Sequence, residues 1–195
     1  TTLNFNPVLK QHMETEADIT LVYSRGLYNF EKNNCTTVLE FDDENRLRDV
    51  LVDPQITGEC NIWLEMCIVT KDFLKKIVSD AASRNQYSFT REILQGKKDD
   101  FKIMGFRHDG FFTRIDSIQD YYIANRLLLD PAKKDALFPK NMPVLTKIGD
   151  NGPVKYGLES NIKDSLIADG CVIEGTVINS ILFRGVKVGK DSVVK

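Results

Sequence analysis

The C-terminal stretch narrows the possible folds more than any other part of the chain. In LIADGCVIEGTVINSILFRGVKVGKDSVV, Ile167 and Ile173 stand six residues apart, and Leu182, Val188 and Val194 repeat the same interval. Small or polar residues follow most of them: Ala168, Glu174 and Gly189. An ordinary alternating strand has a period of two and no regular glycines. A six-residue repeat of an aliphatic followed by a small residue instead predicts a left-handed parallel β-helix, each repeat forming one side of a triangular coil. The three-residue offset between the two series is read as a loop at one corner. One coil cannot bury its inner face alone, so further repeats are expected in a longer parent protein.

The preceding residues read differently. Asn6-Pro7 predicts a helix from Pro7 to about Glu16, with Asn6 as its cap. ADITLVY reads as a strand, and TTVLEF and RLRDVLV as a hairpin around DDEN. NIWLEMCIV reads as a longer, largely buried strand. Thr70 is expected to cap KDFLKKIVSDAAS, with Phe73, Leu74, Ile77 and Val78 as its apolar stripe. Ser88 is expected to cap FTREILQ, and DFKIMGFRHDGFFTRI predicts two strands around His108–Gly110. Ser117 and Asp120 form a Ser-x-x-Asp capping box for a helix over 118–129. Alternating strands and helices place residues 1–130 in the α/β class as a partial domain. Residues 131–158, punctuated by proline and glycine, read as a linker, and 159–195 as the start of the β-helix.

Composition excludes several functions. A net charge of −2 argues against a nucleic-acid binder. No apolar run is long enough to span a membrane. The chain lacks an initiator Met and the pattern of a secretory signal, so the expectation is an internal piece of a cytoplasmic protein. Cys35, Cys60, Cys67 and Cys171 form no CxxC pair and read as reduced thiols.

LKQHMETEADITLVY, SFTREIL, FFTRIDSIQDYYIANRLLL and INSILFRGVKVGKDSVV together resemble the glucose-1-phosphate adenylyltransferase (ADP-glucose pyrophosphorylase) family, and within it the regulatory GlgD-type subunits. The resemblance implies a Rossmann-like nucleotidyltransferase domain, present here in its C-terminal part, followed by the β-helix. Active members join ATP to glucose 1-phosphate and release pyrophosphate. Charge builds on phosphate oxygens, so they need Mg²⁺ held by carboxylates and cations on the sugar phosphate. The glycine-rich loop that holds the triphosphate does not occur in these residues.

Position by position, the resemblance puts substitutions at the chemistry. One metal-binding Asp of the family falls at Asn4, and the second at Arg114. A cation there opposes a metal: like unit charges about 4 Å apart at an effective dielectric near 20 cost on the order of 4 kcal/mol, doubled for a divalent ion. Asp116, two residues on, is the one conceivable rescue. The family's phosphate-binding Lys falls at Asp53. Its Ser-Met-Gly-Ile-Tyr glucose-pocket strand falls on Trp63-Leu64-Glu65-Met66-Cys67, so Trp63 and Glu65 are expected to fill the pocket.

The expectation is therefore no catalytic residue, no metal site and no cofactor in this chain, where the active family uses Mg²⁺ and ATP. The partner implied is an active adenylyltransferase subunit in a hetero-oligomer, expected to be a tetramer, that the degenerate subunit tunes for glycogen synthesis. The alternatives are a catalytically active enzyme or a non-enzymatic scaffold. A hexapeptide-coil acyltransferase is set aside because no His follows His108. His12 is expected to be a satisfied helix-face partner, His108 a solvated turn residue, and Lys97, Lys98, Asp99 and Asp100 a solvated loop. Arg184 and Lys187 read as a solvent-facing corner of the coil, with an anionic effector as the other option.

Overall fold

The computed structural model describes residues 3–29, 31, 36–147 and 149–195. These form two compact units, Leu3–Gly110 and Phe111–Lys195. The boundary falls earlier than the one near residue 130 read from the sequence. Among the described residues no helix is long and apolar enough to cross a membrane.

In the first unit α1 (Phe5–Glu14) starts two residues before the predicted first helical residue, Pro7. Asn4 is the cap: its Oδ1 accepts from the Asn6 backbone N–H at 3.0 Å. Pro7 then sits in the first turn, where its missing N–H costs nothing. The strands β1 (Ile19–Asn29), β2 (Thr37–Phe41), β3 (Leu47–Val52), β4 (Thr57–Val69) and β5 (Ile103–Arg107) make one mixed sheet in the order β3-β2-β4-β1-β5. β1 is antiparallel to β4 and parallel to β5. The expected hairpin forms around Asp42–Asn45, where Asp42 Oδ1 accepts from the N–H groups of Glu44 and Arg46. An antiparallel bridge from Arg46 to Met104 then curls the hairpin turn back onto β5.

α2 (Lys71–Ser83) begins after Thr70 as expected, although the Thr70 side chain makes no cap hydrogen bond. Its apolar stripe is narrower than the periodicity implies. Phe73 and Ile77 pack into the core with Leu21, Leu94 and Trp63, while Leu74 and Val78 are 41% and 58% exposed. β4 is half-buried and not largely buried. Phe89–Gln95 forms a π-helix capped by Ser88, whose Oγ accepts from Arg91 N–H while Glu92 Oε2 accepts from Ser88 N–H. Gln95 ties this segment to β3 by donating to the Val50 carbonyl at 2.8 Å.

Of the two strands predicted around His108–Gly110, only β5 forms. Phe111–Ile115 belongs to the second unit and has no ladder there. A strand needs an edge to pair with, and its alternation of residues cannot supply one.

The second unit opens with α3 (Ile118–Leu127), capped by Ser117. Ser117 Oγ accepts from Asp120 N–H at 3.0 Å and donates to Asp120 Oδ2 at 2.7 Å, so the capping pair forms with a side-chain return contact. α4 (Pro131–Leu137) lies inside the segment read as a linker, started by Asp130, whose Oδ1 accepts from Ala132 N–H. Eight short strands follow: β6 (Lys155–Tyr156), β7 (Asn161–Lys163), β8 (Leu166–Ile167), β9 (Val172–Ile173), β10 (Thr176–Ile178), β11 (Ile181–Leu182), β12 (Lys187–Val188) and β13 (Val193–Val194). They pair in three parallel ladders, β6-β9-β12, β7-β10-β13 and β8-β11, each partner 15 or 17 residues along the chain.

Ile167, Ile173, Leu182, Val188 and Val194, the five repeat positions, all join one cluster around Cys171 and Val177. At Gly175 a Cβ would lie 2.5 Å from the carbonyl oxygens of Gly189 and Ser192, so only glycine lets successive turns stack there.

Candidate functional site

The first unit carries four of the five family positions. Asn4 spends its side-chain oxygen on the α1 cap. Asp or Asn serves a cap equally well, so the local fold tolerates this replacement even if a metal would not. Asp53 is exposed, with φ 50 and its N–H donated to the Thr36 carbonyl at 2.9 Å. Trp63 is buried in the core at 8% exposure and pairs across the sheet with Tyr23.

Glu65 occupies a bulge. The β1–β4 register jumps from Val22↔Met66 to Tyr23↔Trp63, leaving Leu64 and Glu65 unpaired. Trp63 clips the bulge by donating its indole N–H to the Met66 carbonyl at 3.3 Å. Glu65 sits there with φ 57 and its side chain exposed, so it does not fill the interior as Trp63 does. The left-handed backbone is one that glycine adopts freely and other residues adopt at a cost of about 1–2 kcal/mol. The pattern that the sequence resembles has glycine at this place.

The second unit carries Arg114. Its Nη2 donates to Asp116 Oδ1 at 3.2 Å, and its Nε lies 3.1 Å from Asp116 Oδ2. Both side chains are mostly buried, at 20% and 16% exposure. Asp116, the one carboxylate that could replace the family's Asp, is thus engaged by the cation at that very position. An amide committed to a helix cap and a guanidinium salt-bridged to the nearest acid do not fit a divalent cation. Among the described residues no three His, Cys, Asp or Glu side chains come together as a metal-binding group.

His12 is buried at 6% exposure, and its Nδ1 meets Thr20 Oγ1 at 2.8 Å. Burial pulls the imidazole below its ordinary value, with the Asp18 carboxylate opposing. The unfolded chain therefore takes up a proton at His12 near pH 6.5, while the folded chain resists until lower pH. Stability is complete above that value and declines as pH falls below it. The urea midpoint is expected to drop between about pH 7.5 and about pH 5.5, and to drop less in His12→Gln. Parallel pH profiles for the two proteins would remove His12 as the cause.

The remaining expectations divide. Cys60, Cys67 and Cys171 are free thiols, and burial raises the pKa of Cys60 and Cys67; Cys35 lies outside the described residues. Lys97 is not a solvated loop residue: its Nζ meets Asp80 Oδ2 on α2 at 2.5 Å. Arg84 takes the other oxygen at 2.9 Å, and these cations, Lys97 foremost, hold the Asp80 carboxyl down at about 2. His108 is half-buried, its carbonyl accepting from Ser24 Oγ at 2.8 Å. Arg184 and Lys187 are exposed on the coil. Gly105 went unread in the sequence although it organises the first unit: its carbonyl accepts from Gln11 Nε2 and Asn45 Nδ2. An isolated glycine inside a strand pattern signals such a close approach.

No family model matches the chain. It is 28% identical to the glycogen biosynthesis protein GlgD of Bacillus subtilis (strain 168), over 99% of this chain and 46% of that protein. Over 47% of this chain it is 38% identical to the glycogen biosynthesis protein GlgD of Geobacillus stearothermophilus, covering 34% of that protein. It is also 26% identical to a glucose-1-phosphate adenylyltransferase of Mycoplasma mobile, over 99% of this chain and 51% of that enzyme. Over nearly its whole length the chain is thus a homologue of GlgD and of the glucose-1-phosphate adenylyltransferases, and it spans about half the length of these relatives or less.

Proposed function

We propose that the parent protein is a regulatory, catalytically impaired subunit of glucose-1-phosphate adenylyltransferase, acting in glycogen synthesis by assembling with an active homologue. The observation that carries this reading is Arg114. A mostly buried guanidinium, salt-bridged to Asp116, stands where the family pattern has a metal-binding carboxylate. Asn4 and Asp53 support it, each lacking the group that the family's chemistry uses, and so does Trp63, buried where the family pattern has a small residue. The packing elsewhere is intact: the sheet core, the capping pair and the repeat cluster are all formed. Neutral drift would erode packing too, since random changes destabilise by about 1 kcal/mol each and accumulate.

A kept fold with a spent site argues for a surface still in use. In the second unit the surfaces that suit a partner are the coil and the apolar face around α3, where Ile118, Tyr121 and Tyr122 are 89%, 47% and 58% exposed. The three parallel ladders are taken as the first turns of a left-handed β-helix, continued in the parent by further coils.

Co-expression of the full-length protein with the active homologue from the same organism is expected to give one co-eluting species. Its kinetics should differ from those of the homologue alone. The full-length protein alone should turn over far below kinase-like rates of about 1–100 per second. Asn4→Asp, Asp53→Lys and Arg114→Asp together, with smaller residues at 63 and 65, should raise that rate. Separate elution with unchanged kinetics would remove the regulatory reading, and ordinary turnover by the wild-type homomer would favour the active enzyme instead.

A further inference from the structure

Asn151 is the only asparagine of the sequence that precedes a glycine, in Asp150-Asn151-Gly152-Pro153, just before the first coil strand β6. Asparagine is thermolabile because the backbone nitrogen of the next residue can attack its side-chain amide. Glycine makes that approach easiest, having no Cβ to crowd the five-membered ring. The structure leaves this pair open to react. Asn151 and Gly152 are both exposed and lie outside any helix or strand. Among the described residues the Asn151 side chain makes no hydrogen bond, and the Gly152 N–H, the nucleophile, donates to no acceptor. Other asparagines are committed: Asn4 caps α1, Asn45 and Asn61 donate to the carbonyls of Gly105 and Leu39, and Asn125 donates to that of Tyr121. Neither Asn151 nor Gly152 is one of the five family positions, so nothing here rests on the regulatory reading.

Asn151 also has a cation beside it. A Cβ on Gly149 would lie 2.9 Å from Asn151 Nδ2 and 3.0 Å from Arg184 Nη1, so the amide and the guanidinium flank one point. Among the described residues Arg184 has no ion pair. Ring closure places negative charge first on the Gly152 nitrogen and then on the oxygen of the attacked amide, and hydrolysis leaves a carboxylate. A positive charge nearby favours all three.

We propose that Asn151 is a site of self-deamidation promoted by Arg184. The Gly152 nitrogen bonds to Asn151 Cγ, the Cγ–Nδ2 bond breaks, and ammonia leaves carrying the proton that Gly152 N–H gives up. Water then opens the succinimide at either carbonyl, giving aspartate or isoaspartate. Both products set a carboxylate beside Arg184. Isoaspartate also adds a methylene to the main chain next to Gly152, whose carbonyl accepts from Gly170 N–H at 2.7 Å and ties this segment to the first turn of the coil. The modification therefore loosens that tie in a fraction of aged molecules.

Ageing the full-length protein in heavy-oxygen water at mildly alkaline pH, followed by peptide mass spectrometry, tests this. The peptide spanning Asn151 is expected to gain one solvent oxygen in place of its amide nitrogen and to become a substrate for an isoaspartyl methyltransferase. Peptides holding Asn61 and Asn125 should stay amidated over the same time. Gly152→Ala should slow conversion about tenfold by crowding the ring. The space its methyl would enter is empty, so the variant should keep the wild-type circular dichroism. Arg184→Gln should slow conversion about threefold, as for loss of one exposed charge contact. Equal persistence of Asn61, Asn125 and Asn151 would overturn the proposal, as would conversion of Gly152→Ala at the wild-type rate. An unaltered rate in Arg184→Gln would remove Arg184 from it.

Discussion

Gly105→Ala is expected to cost about 3 kcal/mol of folding stability, near the top of the usual overpacking range. A Cβ at this position would lie 2.6 Å from Phe41 Cε1 and 2.8 Å from Tyr23 Cε1, where no carbon can sit. Those rings cannot easily withdraw. They pack on each other with centroids 4.5 Å apart, and the Tyr23 hydroxyl is held by Asn45 Oδ1 at 3.2 Å. Moving β5 away instead would break three hydrogen bonds: Gln11 and Asn45 onto the Gly105 carbonyl, and the Gly105 N–H onto the Asn45 carbonyl. The substitution therefore strikes α1, the hairpin turn and β5 together. Urea denaturation followed by far-UV circular dichroism gives the difference. An unchanged midpoint would show that the rings yield freely and that the junction is not tight.

Trp63→Ser, which restores the small residue of the family pattern, is expected to lose about 3–5 kcal/mol, as for deletion of a large buried aromatic. Trp63 packs in the same core as Leu21, Leu39 and Ile93, and its indole N–H closes the Glu65 bulge. The change removes both the packing and the clip. Restoring the family's small residue at this position is thus opposed by stability, so the charge changes at 4, 53 and 114 should be introduced before it. Thermal unfolding of the variant against wild type measures the loss. A shift of less than about 1 kcal/mol would mean that Trp63 is an ornament on a core that closes without it.

The two substitutions fall on the strands that flank β1, yet they differ in what could be foreseen. Trp63 was readable as the large residue in a small-residue pattern. The clash at Gly105 depends on Phe41 and Tyr23, residues 64 and 82 positions away, and no local window contains them.

That difference runs through the whole chain. The α/β alternation, the hairpin at Asp42–Asn45, the Ser88 and Ser117 caps and the repeat core are local patterns. Each follows from spacing or from a side chain reaching its own backbone, so the linear sequence carries them. Partnership between distant segments is another matter. Phe111–Ile115 alternates like a strand but is offered no edge, and Leu74 and Val78 fit a helical stripe that only Phe73 and Ile77 bury. Lys97 looks solvated until Asp80 arrives from α2, and Asn4 reads as a lost ligand until the fold shows it capping α1. At Arg114 both levels contribute. The sequence shows a cation where the family has an acid, and only folding puts Asp116 against it at 3.1 Å, because burial makes an unpaired charge too costly to leave.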